Sequence, residues 1–213
     1  MKSLASFFKE FLGRISIKRD SAPLQKIGEI EEFVTTRAAF VAQKTLYGYV
    51  KTRMGTRYPS MFEDDVFAHS INIAKMHVFS ACLSDLSVFA VGNALSKLPT
   101  NQTLRSHTAA NFYRSGLFNN PNDAPAEFSQ QEAISSFEMR LFDLDWETQA
   151  IDRAIFTESP KALYRWAPIA DNLKKQDADI ILNSINFTWS EIRQRYLRRL
   201  DVDAVCASIE RNK

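Results

Sequence analysis

Apolar residues along this chain recur at steps of three and four, strand-type alternation hardly appears, and every long pattern reads as a helix. From Leu24 to Arg53, Ile27, Ile30, Phe33, Val34, Val41, Leu46, Tyr47 and Val50 mark one face. Glu29, Glu31 and Glu32 stand early in that segment and Lys51 and Arg53 late, matching the partial charges of a helix's two ends. Gly55 falls where a left-handed C-terminal residue is favoured, and Pro59 prevents resumption. Ser60 is the expected cap of the next helix, whose first turn Glu63, Asp64 and Asp65 fill.

The next pattern is different in kind. From Val66 to Leu98 only Lys75, Asp85 and Lys97 are formally charged, and no proline intervenes before Pro99. A surface helix shows an apolar stripe of roughly 100° and a charged opposite face, so a tract without that charged face is enclosed by other protein. A central helix over about 62–97 is therefore expected. The uncharged run from Met76 to Ser84 is far below the roughly 20 residues that span a bilayer. Asp85 would stand in mid-span, at about 2.5 to 3.5 kcal/mol on insertion scales, which favours a core helix of a soluble protein.

Further on, Leu104 to Phe118 reads as a shorter helix closed by Gly116, and Asn119 to Pro125 as a turn cluster. Phe128 to Phe156 reads as one or two helices with a break near Asp143 to Asp145. Ser159-Pro160 restarts a helix as cap and first-turn proline, and Pro168 ends or kinks it. Asp179 to Leu200 is a strong helix and Val202 to Ile209 a short one. The fold expected is all-α, an irregular multi-helix bundle around the long, charge-poor central helix. Two parts are expected: residues 1–19, and a single helical domain over 20–213.

Residues 1–19 have a character of their own. Leu4, Phe7, Phe8, Phe11, Leu12 and Ile15 recur at helical spacing, among Lys2, Lys9, Arg14, Lys18 and Arg19, five cations against Glu10. Phenylalanines on one face and cations around them are what an interfacial helix needs, with rings in the acyl boundary and Lys or Arg at phosphates. The expected membrane contacts are thus Phe7, Phe8, Phe11, Lys2, Lys9, Arg14, Lys18 and Arg19, each cation near an anionic surface adding about 1 kcal/mol. A basic, acid-poor organellar transit peptide has the same look, and docking on the protein's own core is the third possibility.

Composition narrows the rest. Of 213 residues 45% are hydrophobic and sixteen are phenylalanine, enough for one sizeable core. A formal charge of +2 and a pI near 8.5 are too balanced to imply a polyanionic partner. Cys82 and Cys206 stand far apart with no CxxC pair, the pattern of reduced cytoplasmic thiols.

Candidate chemistry is sparse. Asp65, His69, Asn72 and Met76 share a stripe of roughly 60° on an ideal helix. A carboxylate four residues before an imidazole can orient a base or offer a metal ligand. His77 points about 80° away from His69. Asp65, His69 and His77 are the candidate catalytic groups, with a plain Asp65–His69 hydrogen bond as the alternative. No HExxH, no ExxH of the di-iron type and no GxSxG elbow occurs, so neither a metal nor a cofactor is expected. Lys51, Arg53 and Arg57 around Gly55 are candidate anion-binding cations. Arg193, Arg195, Arg198 and Arg199 on the helix of Trp189 and Tyr196 give a weaker nucleic-acid face, offset by Glu191, Asp201 and Asp203. The leading expectation is a non-catalytic interaction protein, an adaptor or assembly factor. It would be cytoplasmic, peripheral to an anionic membrane and bound to a protein partner. An enzyme with a pocket at Asp65, His69 and His77 is the alternative.

Overall fold

The computed structural model describes residues 21–98, 102–118 and 124–211. The expected membrane contacts at positions 2 to 19, and most of the turn cluster at 119–125, lie outside them. Among the described residues the fold is an all-α bundle with no sheet. Its helices are α1 (Ile27–Met54), the short α2 (Tyr58–Met61), α3 (Asp65–Ala94), α4 (Gln102–Phe118), α5 (Gln130–Phe142), α6 (Glu158–Trp166), the short α7 (Asp171–Gln176), α8 (Ala178–Arg199) and α9 (Val202–Glu210).

The central helix lies where its sequence places it. α3 packs against α1, α4, α6 and α9, and α1 in turn packs against α8, α4 and α6. From Cys82 to Gly92 every residue of α3 is buried, so no solvent face exists there. By length and composition α3 could cross a membrane, but 78% of its most apolar window is covered by the rest of the chain. Its first turn is open, with Val66 77% exposed. The expected enclosure thus fails at the N-terminal end, where neighbouring helices no longer reach.

Local chemistry sets the helix limits. Gly55 ends α1 with φ of 55°, the positive angle expected of it. Pro59 falls in the first turn of α2, where its missing N–H is harmless. Because α2 intervenes, Ser60 does not cap α3. Its hydroxyl bonds back to the Arg57 carbonyl at 3.0 Å, while Asp64 accepts from the amides of Val66 and Phe67 at 2.8 and 3.1 Å. At the other end of α3 the buried Arg105 donates to the Leu95 carbonyl at 3.1 Å and to Glu147 at 2.7 Å, a cation where the helix dipole favours one. The expected break after Phe142 is present, and α6 ends before Pro168.

Ser159 is not the cap of α6. Thr157 occupies that position without a side-chain bond, and the free amides of the first turn are satisfied from another helix. The carboxylate of Asp85, in the middle of α3 and wholly buried, accepts from Glu158 N at 3.2 Å, Ser159 N at 2.8 Å, Ser159 Oγ at 2.6 Å and Arg140 Nη1 at 2.9 Å. Arg140 also donates to Ser84 Oγ and to the Ile155 carbonyl, both at 2.6 Å. Trp189 Nε1 of α8 donates to Ser159 Oγ at 2.9 Å. Burial pushes the Asp85 carboxyl above its ordinary value, and the Arg140 charge and the Ser159 donors pull it back. Four donors fill the lone pairs, so the ionised form is the one that fits.

The chain ends of the bundle are joined by backbone. Leu24 N donates to the Arg199 carbonyl at 2.7 Å and Asp201 N to the Leu24 carbonyl at 3.0 Å, an isolated parallel bridge. α3 also passes close to the loop before α6: a Cβ on Gly92 would stand 2.9 Å from that of Ala150. Only a glycine tolerates that approach without displacing backbone.

Asp85→Asn keeps the side-chain shape but presents an NH2 to donors and strands Arg140, whose side chain is 17% exposed. A loss of about 3 to 5 kcal/mol in unfolding free energy is expected from urea titration. The Asp85→Leu/Arg140→Met pair, which removes both charges, should be less destabilised than Asp85→Leu alone. Equal losses would mean that the charges are not coupled.

Candidate functional site

α5 leans on α4, and α6 lies along α3, leaving a trough between α5 and α6 with α3 as its floor. Its volume is about 690 Å³. The floor is one face of α3 at helical spacing, namely His77, Ser80, Ala81 and Ser84. Ala133, Ser136, Phe137 and Arg140 of α5 form one wall, and Glu158, Lys161, Ala162 and Arg165 of α6 the other. Short side chains keep it open, and aromatic groups stand beside it.

At one end the His77 ring stacks on Trp166, centroids 3.6 Å apart and planes parallel, with the edge of Phe128 at 5.1 Å. His77 Nε2 is buried and has no hydrogen-bond partner. Burial first, and the nearby Arg165 charge second, hold its imidazole below the ordinary value, while a hydrogen bond to the Glu127 backbone pulls the other way. Along the floor, Tyr113 stacks on Phe137 at 4.2 Å and shares a 2.6 Å hydrogen bond with Ser80. Burial pushes the Tyr113 phenol up to about 12, so it remains neutral at any ordinary pH.

Most of the charges around the trough are matched. Arg140 is held by Asp85, Lys161 Nζ lies 2.9 Å from Glu158, and at the mouth His69 Nε2 lies 2.8 Å from Glu127 Oε1. The His69 contact holds the Glu127 carboxyl below its usual range.

The structure separates the residues that sequence spacing grouped. Asp65 and His69 are exposed on the open first turns of α3, and His69 pairs with Glu127 rather than with Asp65. His77 alone of the three lines the trough. Among the described residues no cluster of three His, Cys, Asp or Glu could hold a metal ion. Cys82 is wholly buried, and its thiol is pushed far up by that burial.

The cations around Gly55 do not converge either. Arg53 bonds Asp177, which also accepts from Tyr49 Oη at 2.9 Å, so this guanidinium joins α1 to the start of α8; Lys51 and Arg57 remain exposed. The arginines of α8 are dispersed. Arg199 donates to the Ala22 carbonyl at 2.7 Å, Arg198 to that of Gln194, and the Arg193 guanidinium lies over the Phe156 ring. Glu191 pairs with Lys44 of α1 at 3.3 Å. At roughly 100° per residue, Arg193 points about 160° away from Arg195 and so lies off the face on which Arg195, Arg198 and Arg199 fall.

Trp166, Tyr113 and Arg140 escape a reading by sequence. The one available signal was Asp85 itself, since a carboxylate in a charge-free tract requires a buried cation, and Arg140 neighbours the apolar Phe137 and Leu141. The chain matches no known protein family, no curated protein and no solved structure.

His77 ties stability to pH. Its folded-state pKa lies below the ordinary imidazole value, about 6.5. The fold therefore favours the neutral ring, and stability present above that value is lost as pH falls below it. The urea midpoint of the native protein should drop between pH 7.5 and 5.0 by more than that of His77→Phe, which keeps the ring stack and cannot charge. Equal drops would show that His77 carries none of the effect.

Proposed function

We propose that the protein is a non-catalytic helical interaction protein, an adaptor or assembly factor. In this reading it receives a segment of a partner protein in the α5–α6 trough. Residues 1–19 hold it at an anionic membrane surface on the cytoplasmic side. The observation that carries the reading is the combination of an open, preformed trough with lining charges that mostly have partners, either across the trough wall or in the residues behind it. A groove of serines and alanines ending in Trp166 and Phe128 can take an apolar ridge of a peptide, with the hydroxyls and the rim charges giving it register. Unpaired, strongly shifted groups are what an active site usually collects. Here Arg140 and Asp85 bind the fold together. The membrane part rests on the amphipathic pattern of residues 1–19 alone, and the two free cysteines suit a reducing compartment.

A second reading has one observation in its favour. The unbonded Nε2 of a neutral imidazole beside a cleft is what a general base requires. Following the His77 ring by NMR during the acid titration separates the two. Protonation of the ring with the fold intact favours the base, and a ring that stays neutral until the chain unfolds favours a docking floor.

Two measurements test the proposal. Ala133→Trp puts an indole into the trough, and peptides selected for micromolar binding to the native protein should lose at least about tenfold in affinity for it, or about 1.4 kcal/mol. Peptides that bind both proteins equally would place docking elsewhere. In sedimentation with phosphatidylcholine–phosphatidylserine vesicles, Phe7→Glu/Phe11→Glu should lower partitioning at least about tenfold and leave the far-UV helical signal intact. Unchanged partitioning would remove residues 1–19 from the membrane contact.

A further inference from the structure

A second cleft, of about 730 Å³, opens on the face of the bundle formed by α8 and the turn before α6. Asn183, Asn186, Ser190 and Arg193 line it from α8. Steps of three, four and three residues put these four side chains on one stripe of the helix. Arg153 enters from the short 3-10 turn Arg153–Ile155, so two guanidinium groups face a common space. Neither forms a hydrogen bond or ion pair among the described residues, and Arg193 Nε is buried without a partner. The Arg193 guanidinium rests 5.7 Å from the centroid of the Phe156 ring, which fixes its position. Asp152, whose charge acts on Arg193 in the opposite sense to that of Arg153, accepts from Ala154 N at 2.6 Å as the cap of that turn and makes no ion pair with either arginine.

Two like charges held in one cleft repel each other, and the Asp152 charge offsets this only in part, since Arg193 stays below its ordinary pKa. Arg193 is held below its ordinary pKa by burial and by the Arg153 charge. An oxyanion between the two would relieve the repulsion and satisfy the orphaned Nε–H. Guanidinium forks match the geometry of phosphate oxygens, and the two asparagine amides and the Ser190 hydroxyl supply further donors along the stripe. Phe187, 67% exposed, flanks the cleft and offers an apolar surface to whatever carries the phosphate.

We propose that the cleft between Arg153 and Arg193 is a binding site for a phosphate monoester, with Asn183, Asn186 and Ser190 as supporting donors. The site is separate from the trough, and its test does not depend on the trough's role. A soluble phosphate ester and the headgroup of phosphatidic acid present the same chemistry to it.

The test is thermal unfolding of the full chain in inorganic phosphate, against sodium chloride of equal ionic strength. Phosphate should raise the midpoint by several degrees. Arg153→Gln, at an exposed position, should lose most of that rise, with Asn183→Ala losing part of it and Lys175→Gln none. No rise in the native protein, or the same rise in Arg153→Gln, overturns the site. The source is read with phosphatidylcholine vesicles containing either phosphatidic acid or phosphatidylserine. Preference for phosphatidic acid that Arg153→Gln abolishes supports the site with a lipid headgroup as its ligand. A phosphate response that Arg153→Gln abolishes, without any such vesicle preference, supports it with a soluble ester.

Discussion

The Asp85 carboxylate is the constraint around which the bundle is arranged. A charge at the centre of a buried helix is costly unless every lone pair is occupied, and the donors that occupy these come from two other segments. Arg140 brings in α5, and the amides of Glu158 and Ser159 bring in the start of α6. The first turn of α6 has no side-chain cap from its own segment. Its amides and the carboxylate of α3 satisfy each other, so neither helix is complete without the other. Through Ser159 Oγ the Trp189 indole of α8 is added to the same set. This set of bonds forms at one rotation of the helices and so adds direction to the non-directional burial of the core.

That arrangement also shapes both clefts. Arg140 reaches under α5 to Asp85 and to the Ile155 carbonyl, bracing α5 at one end of the trough while α5 and α6 stay apart along its length. The carbonyl it grips belongs to the turn that carries Arg153. Phe156, next in the chain, packs on Trp189 and Phe89 and bears the Arg193 guanidinium. Residues 153 to 161 therefore present Lys161 and Glu158 to the trough on one side and Arg153 to the second cleft on the other. A ligand at either place touches a segment that one network holds still.

The two histidines of α3 show how far spacing on one helix can mislead. His69 and Asp65 do share a face, as the helical period requires, but that face is open to water at the uncovered end of α3, and Glu127 from beyond α4 takes the imidazole. His77, eight residues on, meets the rings of Trp166 and Phe128, which lie 89 and 51 residues away in the chain. Arg53 likewise belongs by sequence to a loop of cations, and by structure to Asp177.

What the sequence by itself determined is everything with a local cause. The helix periods, the arrest at Gly55 and Pro168, the break after Phe142, the buried face of Ile185, Trp189, Ile192 and Tyr196, and the enclosure of residues 82–92 all follow from side chains within a few turns of one another. What the tertiary structure alone decided is the partner of each polar group. Asp85 with Arg140, Ser159 as a buried relay instead of a cap, His77 on Trp166, and Arg153 beside Arg193 join segments whose separation in the chain carries no signal of their contact. A helix's period tells which way a side chain points; which neighbour it meets depends on how the helices are rotated and stacked, and that is settled by the core as a whole.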